Sequence, residues 1–220
     1  MCAPLGFKAG GIHCGIRKNK DKKDFALIVS DVPCAAAGVF TRNLVKGAPV
    51  LVTKRNIANG VAQAVICNSG NANTCNKDGE EVAEKMCALV TKVAGIDASD
   101  VIVASTGVIG LPLDITPMAN AIGELYSSLS LNSDSAAEAI MTTDTVPKSV
   151  AVEFELGGKT CRIGAIAKGV GMICPNMATT LIFITTDVSI SSQMLQKALS
   201  EDVKTSFNMV SIDGDQSTND

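Results

Sequence analysis

The chain has 220 residues, 46% of them hydrophobic, with 19 Lys and Arg against 22 Asp and Glu for a net charge of −3. That is enough apolar side chain for one large or two small globular domains, and the charge balance gives no electrostatic footprint for nucleic acid or an anionic membrane. Aromatics make up 3% with no Trp, which leaves few platforms for base stacking; no window approaches an uninterrupted membrane span, and the start MCAPLGFKAGG lacks a basic-then-apolar leader, so a cytoplasmic protein is expected.

In chain order, FALIVSD (25–31), AAGVFT (36–41), PVLVTK (49–54) and AQAVIC (62–67) are short β-prone runs between Gly, Pro and Asn, the last ending at the Asn- and Gly-rich NSGNANTCNKDG. A helix follows, with Asp78 and Glu81 as a capping-box start. It carries Val82, Met86, Leu89, Val90 and Val93 on one face, and Gly95 closes it. DVIVAS (100–105) reads as a strand running into Thr106 and Gly107. Thr116 before Pro117 starts a helix with Met118, Ile122 and Leu125 on one stripe, and Ser135 opens another reaching about Met141. Residues 150–169 alternate about a Gly157-Gly158 turn as a hairpin. The run 181–185 is a further strand, and Ser191 or Ser192 caps a helix carrying Met194, Leu195, Ala198, Leu199 and Val203. Strands and helices alternate with hairpins mixed in, which predicts a layered α/β fold with a mixed sheet.

Eight cysteines, at 2, 14, 34, 67, 75, 87, 161 and 174, form no C-x-x-C pair, and His13 is the one histidine, so neither a zinc site nor a disulfide framework is expected. Most of these thiols are expected to pack as small buried hydrophobes. SIDGDQSTND (211–220) has three carboxylates in ten residues but not the spacing of a calcium loop. GGKT (157–160) is not a phosphate loop, because Glu153 stands where that loop needs Gly. The pattern from Gly169 fails as a dinucleotide fingerprint, since Cys174 replaces its third Gly and a strand follows.

The stretch that points to chemistry is KGVGMICPNMATTLIFITTD (168–187). It sets a small-residue bond, Ala178–Thr179, between a Gly- and Pro-containing loop and an apolar strand-like run. If that bond breaks, the hydroxyl of Thr179 gains a free α-amine on its own residue. An α-amine has a reference pKa of about 7.7–8.0, so it can accept the hydroxyl proton near neutral pH. A chain with a single histidine gains a base this way.

This segment resembles the signature of the ornithine acetyltransferase family, also called bifunctional glutamate N-acetyltransferase, which carries KG-x-GMI-x-PNMAT and cleaves itself between Ala and Thr. GFKAGGIHCGI, SDVPCAAAGVFTRN, KGAPV, NSGNAN, STGVIG, TTDTVPK and SIDGDQSTND resemble further family motifs in family order, so the likeness covers essentially the whole chain. Val170 stands where the pattern has Ser, and Thr180 where it has Met; neither removes a group the chemistry needs.

The resemblance implies a helix–sheet–sheet–helix sandwich with mixed sheets, similar to N-terminal-nucleophile folds. It implies residues 1–178 as an alpha-chain region and 179–220 as the start of a beta-chain region that continues well beyond residue 220. It assigns Thr179 as nucleophile, Ala178–Thr179 as the cleaved bond, Thr106 and Gly107 as the oxyanion hole, and Thr145, Lys168 and Thr179 as substrate-binding. Lys168 would also help keep a nearby α-amine neutral by like-charge repulsion. The implied reaction moves an acetyl group from N-acetylornithine to glutamate with no metal or organic cofactor; acetyl-CoA is a further substrate in some members. The implied assembly is a heterotetramer of two alpha and two beta chains. Two alternatives stay open at this level: a related self-cleaving aminopeptidase with water as acceptor, and a fragment that binds without turnover. The Asn68–Asn73 stretch reads equally as a structural loop or a ligand contact.

Overall fold

A computed structural model describes residues 1–172 and 180–219. The first sheet has the order β1 (Phe7–Ile12), β2 (Phe25–Ala35), β3 (Val61–Asn71), β4 (Val101–Val108). Its first two pairings are antiparallel and β3–β4 is parallel, joined through helix α2 (Gly79–Ala94). The second sheet is antiparallel, β5 (Lys148–Leu156), β6 (Lys159–Lys168), β7 (Leu181–Thr186).

Both faces of the first sheet are buried, which is why β2 begins as a continuous apolar run. Phe25 and Leu27 point with Ile66 and Val103 toward α2 and α3 (Thr116–Ser127), where Met86, Val90, Met118 and Leu125 complete the core. Ala26, Ile28, Cys67 and Ala104 point the other way, onto α4 (Asp134–Ala139) and onto Ile166 and Leu181 of the second sheet. The layers are therefore helices, mixed sheet, antiparallel sheet, with α4 between the sheets. Beyond the second sheet, Val150 and Val152 of β5 remain exposed among the described residues. A cavity of about 320 Å³ lies between the sheets, lined by Val65, Ala104, Thr180, Leu181, Phe183 and Asn219 among others.

The hairpin turn forms as expected: Gly157 and Gly158 take φ of 59° and 73°, the left-handed pair a tight two-residue turn needs. Ser191 caps α5 (Ser192–Thr205), its side chain accepting from the Met194 N–H at 3.3 Å.

Four local expectations are corrected. The run at 49–54 is not a strand but the body of helix α1 (Ala48–Asn56), with Pro49 in its first turn. The reason is tertiary. β4 is an edge strand, and α1 covers it: the Thr53 hydroxyl donates to Val103 O at 2.7 Å and accepts from Val103 N–H at 2.9 Å, and Asn56 Nδ2 donates to Val101 O at 2.8 Å. The run at 36–41 forms no strand either. Its amides are taken elsewhere, Ala36 N–H by Gly60 O at 2.8 Å and Gly38 N–H by Gln196 Oε1 of α5 at 3.1 Å. Asp78 precedes α2 without a side-chain cap, and Glu81 pairs with Lys85 one turn on instead of reaching back. Finally, β3 runs on through Asn68 to Asn71 rather than ending at Cys67, so the first third of the Asn-rich stretch is strand.

Candidate active site

The site is built where β3 and β4 end together. Gly70 and Gly107 are cross-strand neighbours in the parallel pair. Gly107 has φ of +136°, and a Cβ there would lie 2.3 Å from the Gly70 carbonyl carbon. Only glycine allows this approach, and it is what carries β4 from the buried Thr106 out to an exposed Gly107.

Thr106 faces the second sheet, and Lys168, the last residue of β6, reaches it. Lys168 is 4% exposed, and its Nζ donates to Thr106 Oγ1 at 3.2 Å. An ammonium has donors only, so the threonine oxygen is the acceptor, and the hydroxyl hydrogen stays available to a second acceptor. Cys67 lies beside this pair: burial pushes its thiol up to about 12, against the opposing pull of the Lys168 charge. Across the second sheet Lys168 is the register partner of Leu181, the first residue of β7. Thr179 stands two positions before Leu181. Ala178, Thr179 and Cys174 themselves lie outside the described residues.

Thr145 is exposed, whereas its neighbour Asp144 is buried. Asp144 Oδ1 accepts from Gly169 N–H at 2.9 Å and from Lys148 Nζ at 2.5 Å, while Oδ2 accepts from Thr142 N–H at 3.3 Å. Burial works against its ionisation, but the Gly169 amide, the Lys148 ammonium and the Thr142 amide outweigh it and hold the carboxyl below its ordinary range. Arg17 extends the arrangement, donating to Met141 O with its charge felt by both Asp24 and Asp144. Asp24, fully buried, accepts from the Cys14 and Arg17 amides at 2.6 and 2.8 Å and so fixes the turn that presents Arg17.

The stretch from 211 closes over the same strand ends. Asn219 Nδ2 donates to Ser105 O at 2.9 Å and to Ala72 O, and Asn219 Oδ1 accepts from the Thr74 hydroxyl. Asp213 Oδ2 accepts the Met172 amide at 2.7 Å. Among the described residues no group of three or more His, Cys, Asp and Glu is placed to hold a metal.

Thr106, Gly107 and Lys168 thus come together, and Asp144 brings the segment that carries Thr145 against the start of the loop after Lys168. Asp144, Arg17 and Asn219 carry no catalytic motif of their own in the sequence. The one available signal is the acidic residue among the Thr and Pro of TTDTVPK, next to Thr145.

Residues 8–220 match the ArgJ family. The "Arginine biosynthesis bifunctional protein ArgJ" of Symbiobacterium thermophilum is 51% identical over all of this chain and 56% of its own length. The "Glutamate N-acetyltransferase" of Methanocaldococcus jannaschii is 47% identical over all of this chain and 54% of its own. The chain therefore spans about half the length of these relatives. The crystal structure of ornithine acetyltransferase from Mycobacterium tuberculosis, complexed with ornithine, superposes with a TM-score of 0.68 at 36% identity, covering 80% of this chain and 94% of that one. On the extent of these matches, the chain belongs to the ArgJ family.

Proposed function

We propose that this chain forms the nucleophile-bearing part of an acetyltransferase of arginine biosynthesis, which moves an acetyl group from N-acetylornithine to glutamate. The observation that carries the reading is the pairing of Lys168 with Thr106 on one side and with Leu181 on the other. A buried cation and a hydroxyl with a spare hydrogen thereby stand at the strand that follows Ala178–Thr179. The names of the relatives and the bound ornithine of the similar structure support the substrates.

The chemistry runs in two halves. Cleavage consumes one water across the Ala178–Thr179 bond and divides the chain into 1–178 and a second piece starting at Thr179. Thr179 Oγ then attacks the acetyl carbonyl while its α-amine takes the hydroxyl proton. The Thr106 hydroxyl and the Gly107 N–H stabilise the oxyanion. The amide C–N bond breaks, ornithine leaves with the proton, and an acetyl ester remains on Thr179. The glutamate amine attacks that ester, and Thr179 recovers its proton. Thr145 and Lys168 bind the amino-acid substrate, Lys168 through its carboxylate. Acyl exchange between two amines through an ester calls for no metal or organic cofactor, and acetyl-CoA can enter as an alternative donor to the same ester. Two copies of each piece associate as a heterotetramer in the cytoplasm.

The test uses the complete polypeptide and acetyl-labelled N-acetylornithine. Label should appear on Thr179 and leave it as N-acetylglutamate when glutamate is added. Label released only as acetate, at a rate independent of glutamate, would instead identify a hydrolase.

A further inference from the structure

Asp144 makes contacts that a surface loop does not need. Its carboxylate is fully buried, and its two oxygens gather three donors from three places: Thr142 N–H, Lys148 Nζ and Gly169 N–H. The Gly169 contact crosses from the segment before β5 to the end of β6, 25 residues away in sequence. Gly169 has φ of +153°, so its amide is turned by a backbone that side-chain-bearing residues rarely adopt. On the other flank, the Arg17 guanidinium donates to Met141 O, and its charge is felt by Asp144. The segment 141–148 is thereby held from both sides, and one oxygen of Asp144 sets where the chain departs from Lys168.

We propose that Asp144 is a positioning residue for acyl transfer: its carboxylate ties the segment carrying Thr145 to the Gly169 amide and so fixes Lys168 against Thr106. The proposal rests on the acetyltransferase reading above and deepens it. Among the described residues, the Asp144 carboxylate meets Thr142, Lys148 and Gly169. It acts through the backbone at Gly169, because the Lys168 side chain can meet Thr106 only if the last residue of β6 stops at the right height on the strand. Misplacement of a catalytic contact by about 1 Å costs up to roughly 100-fold in rate. Neighbouring Thr145 shares the tether, so a loosened segment would disturb both substrate-side contacts at once.

The experiment compares Asp144→Ala and Asp144→Asn with the parent, all as the complete polypeptide. Turnover is expressed per site able to form the acetyl ester in a pre-steady-state burst, and hydrogen exchange is followed at the Gly169 amide. Asp144→Ala should lower turnover per acetylatable site roughly 10- to 100-fold. It should also deprotect Gly169. Asp144→Asn keeps a carbonyl oxygen at the Oδ1 position, so it should restore Gly169 protection and most of the turnover. A purely structural role would shrink the burst but leave turnover per burst site at the parental value, and that result would overturn the proposal. So would an Ala variant with Gly169 still protected. If the parent forms no acetyl ester, the acetyltransferase reading fails. The exchange result then judges the tether alone: unchanged Gly169 protection in Asp144→Ala refutes it, and lost protection upholds it.

Discussion

Lys168 Nζ lies 3.2 Å from Thr106 Oγ1, which joins the last residue of β6 to the end of β4 across the gap between the two sheets. The donor is fixed by chemistry, so the hydroxyl hydrogen of Thr106 points elsewhere, toward whatever acceptor enters the site. Thr106→Val keeps the shape and removes that hydrogen. Its kcat for acetyl transfer should fall roughly 100- to 1000-fold, the usual cost of one oxyanion donor, with a much smaller change in KM. Thr106→Ser should keep most of the rate. Steady-state kinetics on the complete polypeptide checks both.

Gly107→Ala meets a different obstacle. Its φ of +136° is unfavourable for any side chain, and the new Cβ would stand 2.3 Å from the Gly70 carbonyl carbon and 2.6 Å from the Asn71 nitrogen. The β3–β4 register must shift to admit it. The expected loss is at least about 1–3 kcal/mol of stability, with activity, read from the urea midpoint against the parent.

Asp144 titrates with a definite sign. Its carboxyl is held below its ordinary value in the folded chain, so its stabilisation is fully present above the ordinary carboxylate range and drains away as pH falls through the lower, folded value. Below about pH 4 the unfolding free energy of the parent should therefore drop more steeply than that of Asp144→Asn. Equal slopes from pH 5 to pH 2 would mean that the Gly169 and Lys148 contacts do not hold the charged form.

The thiols should separate by burial. Cys67, Cys87 and Cys14 are each pushed up to about 12, in every case chiefly by burial. Cys75 is exposed. Native alkylation at pH 8 followed by peptide mass mapping should, among the described thiols, modify Cys75 first and leave Cys67, Cys87 and Cys14 intact until unfolding. Early labelling of Cys67 would contradict the buried Cys67–Lys168 neighbourhood.

How far the sequence speaks for itself depends on the kind of signal. Helices α2, α3 and α5 are legible because their apolar residues recur on one face, and the β5–β6 hairpin because Gly157-Gly158 supports only a few turns. Helix α1 is not legible: Val50, Leu51, Val52 and Thr53 all favour strands, and what makes them helical is the edge of β4, whose Val103 amide and carbonyl Thr53 satisfies. Strand β1 is hidden for a related reason. A Cβ on Gly11 would lie 2.1 Å from Ser135 O of α4 and one on Gly10 2.7 Å from Ser128 Oγ just past α3, so these glycines let both segments settle on the strand. At the site, Thr106, Gly107 and Lys168 stand out in the sequence only through the family resemblance of the segments that carry them. Asp144 and Asn219 act by accepting and donating to distant backbone, at Gly169 and at Ser105, and no local pattern records a partner that far along the chain.

Breaking the Ala178–Thr179 peptide bond would make Thr179 both nucleophile and base. N-terminal sequencing of the complete, active protein decides whether that bond is cut. Two amino termini are expected, the second beginning Thr179-Thr180-Leu181-Ile182, with a single uncut, inactive chain for Thr179→Ala. Full acetyl transfer by a protein with one amino terminus would mean that Thr179 does not act through a freed α-amine.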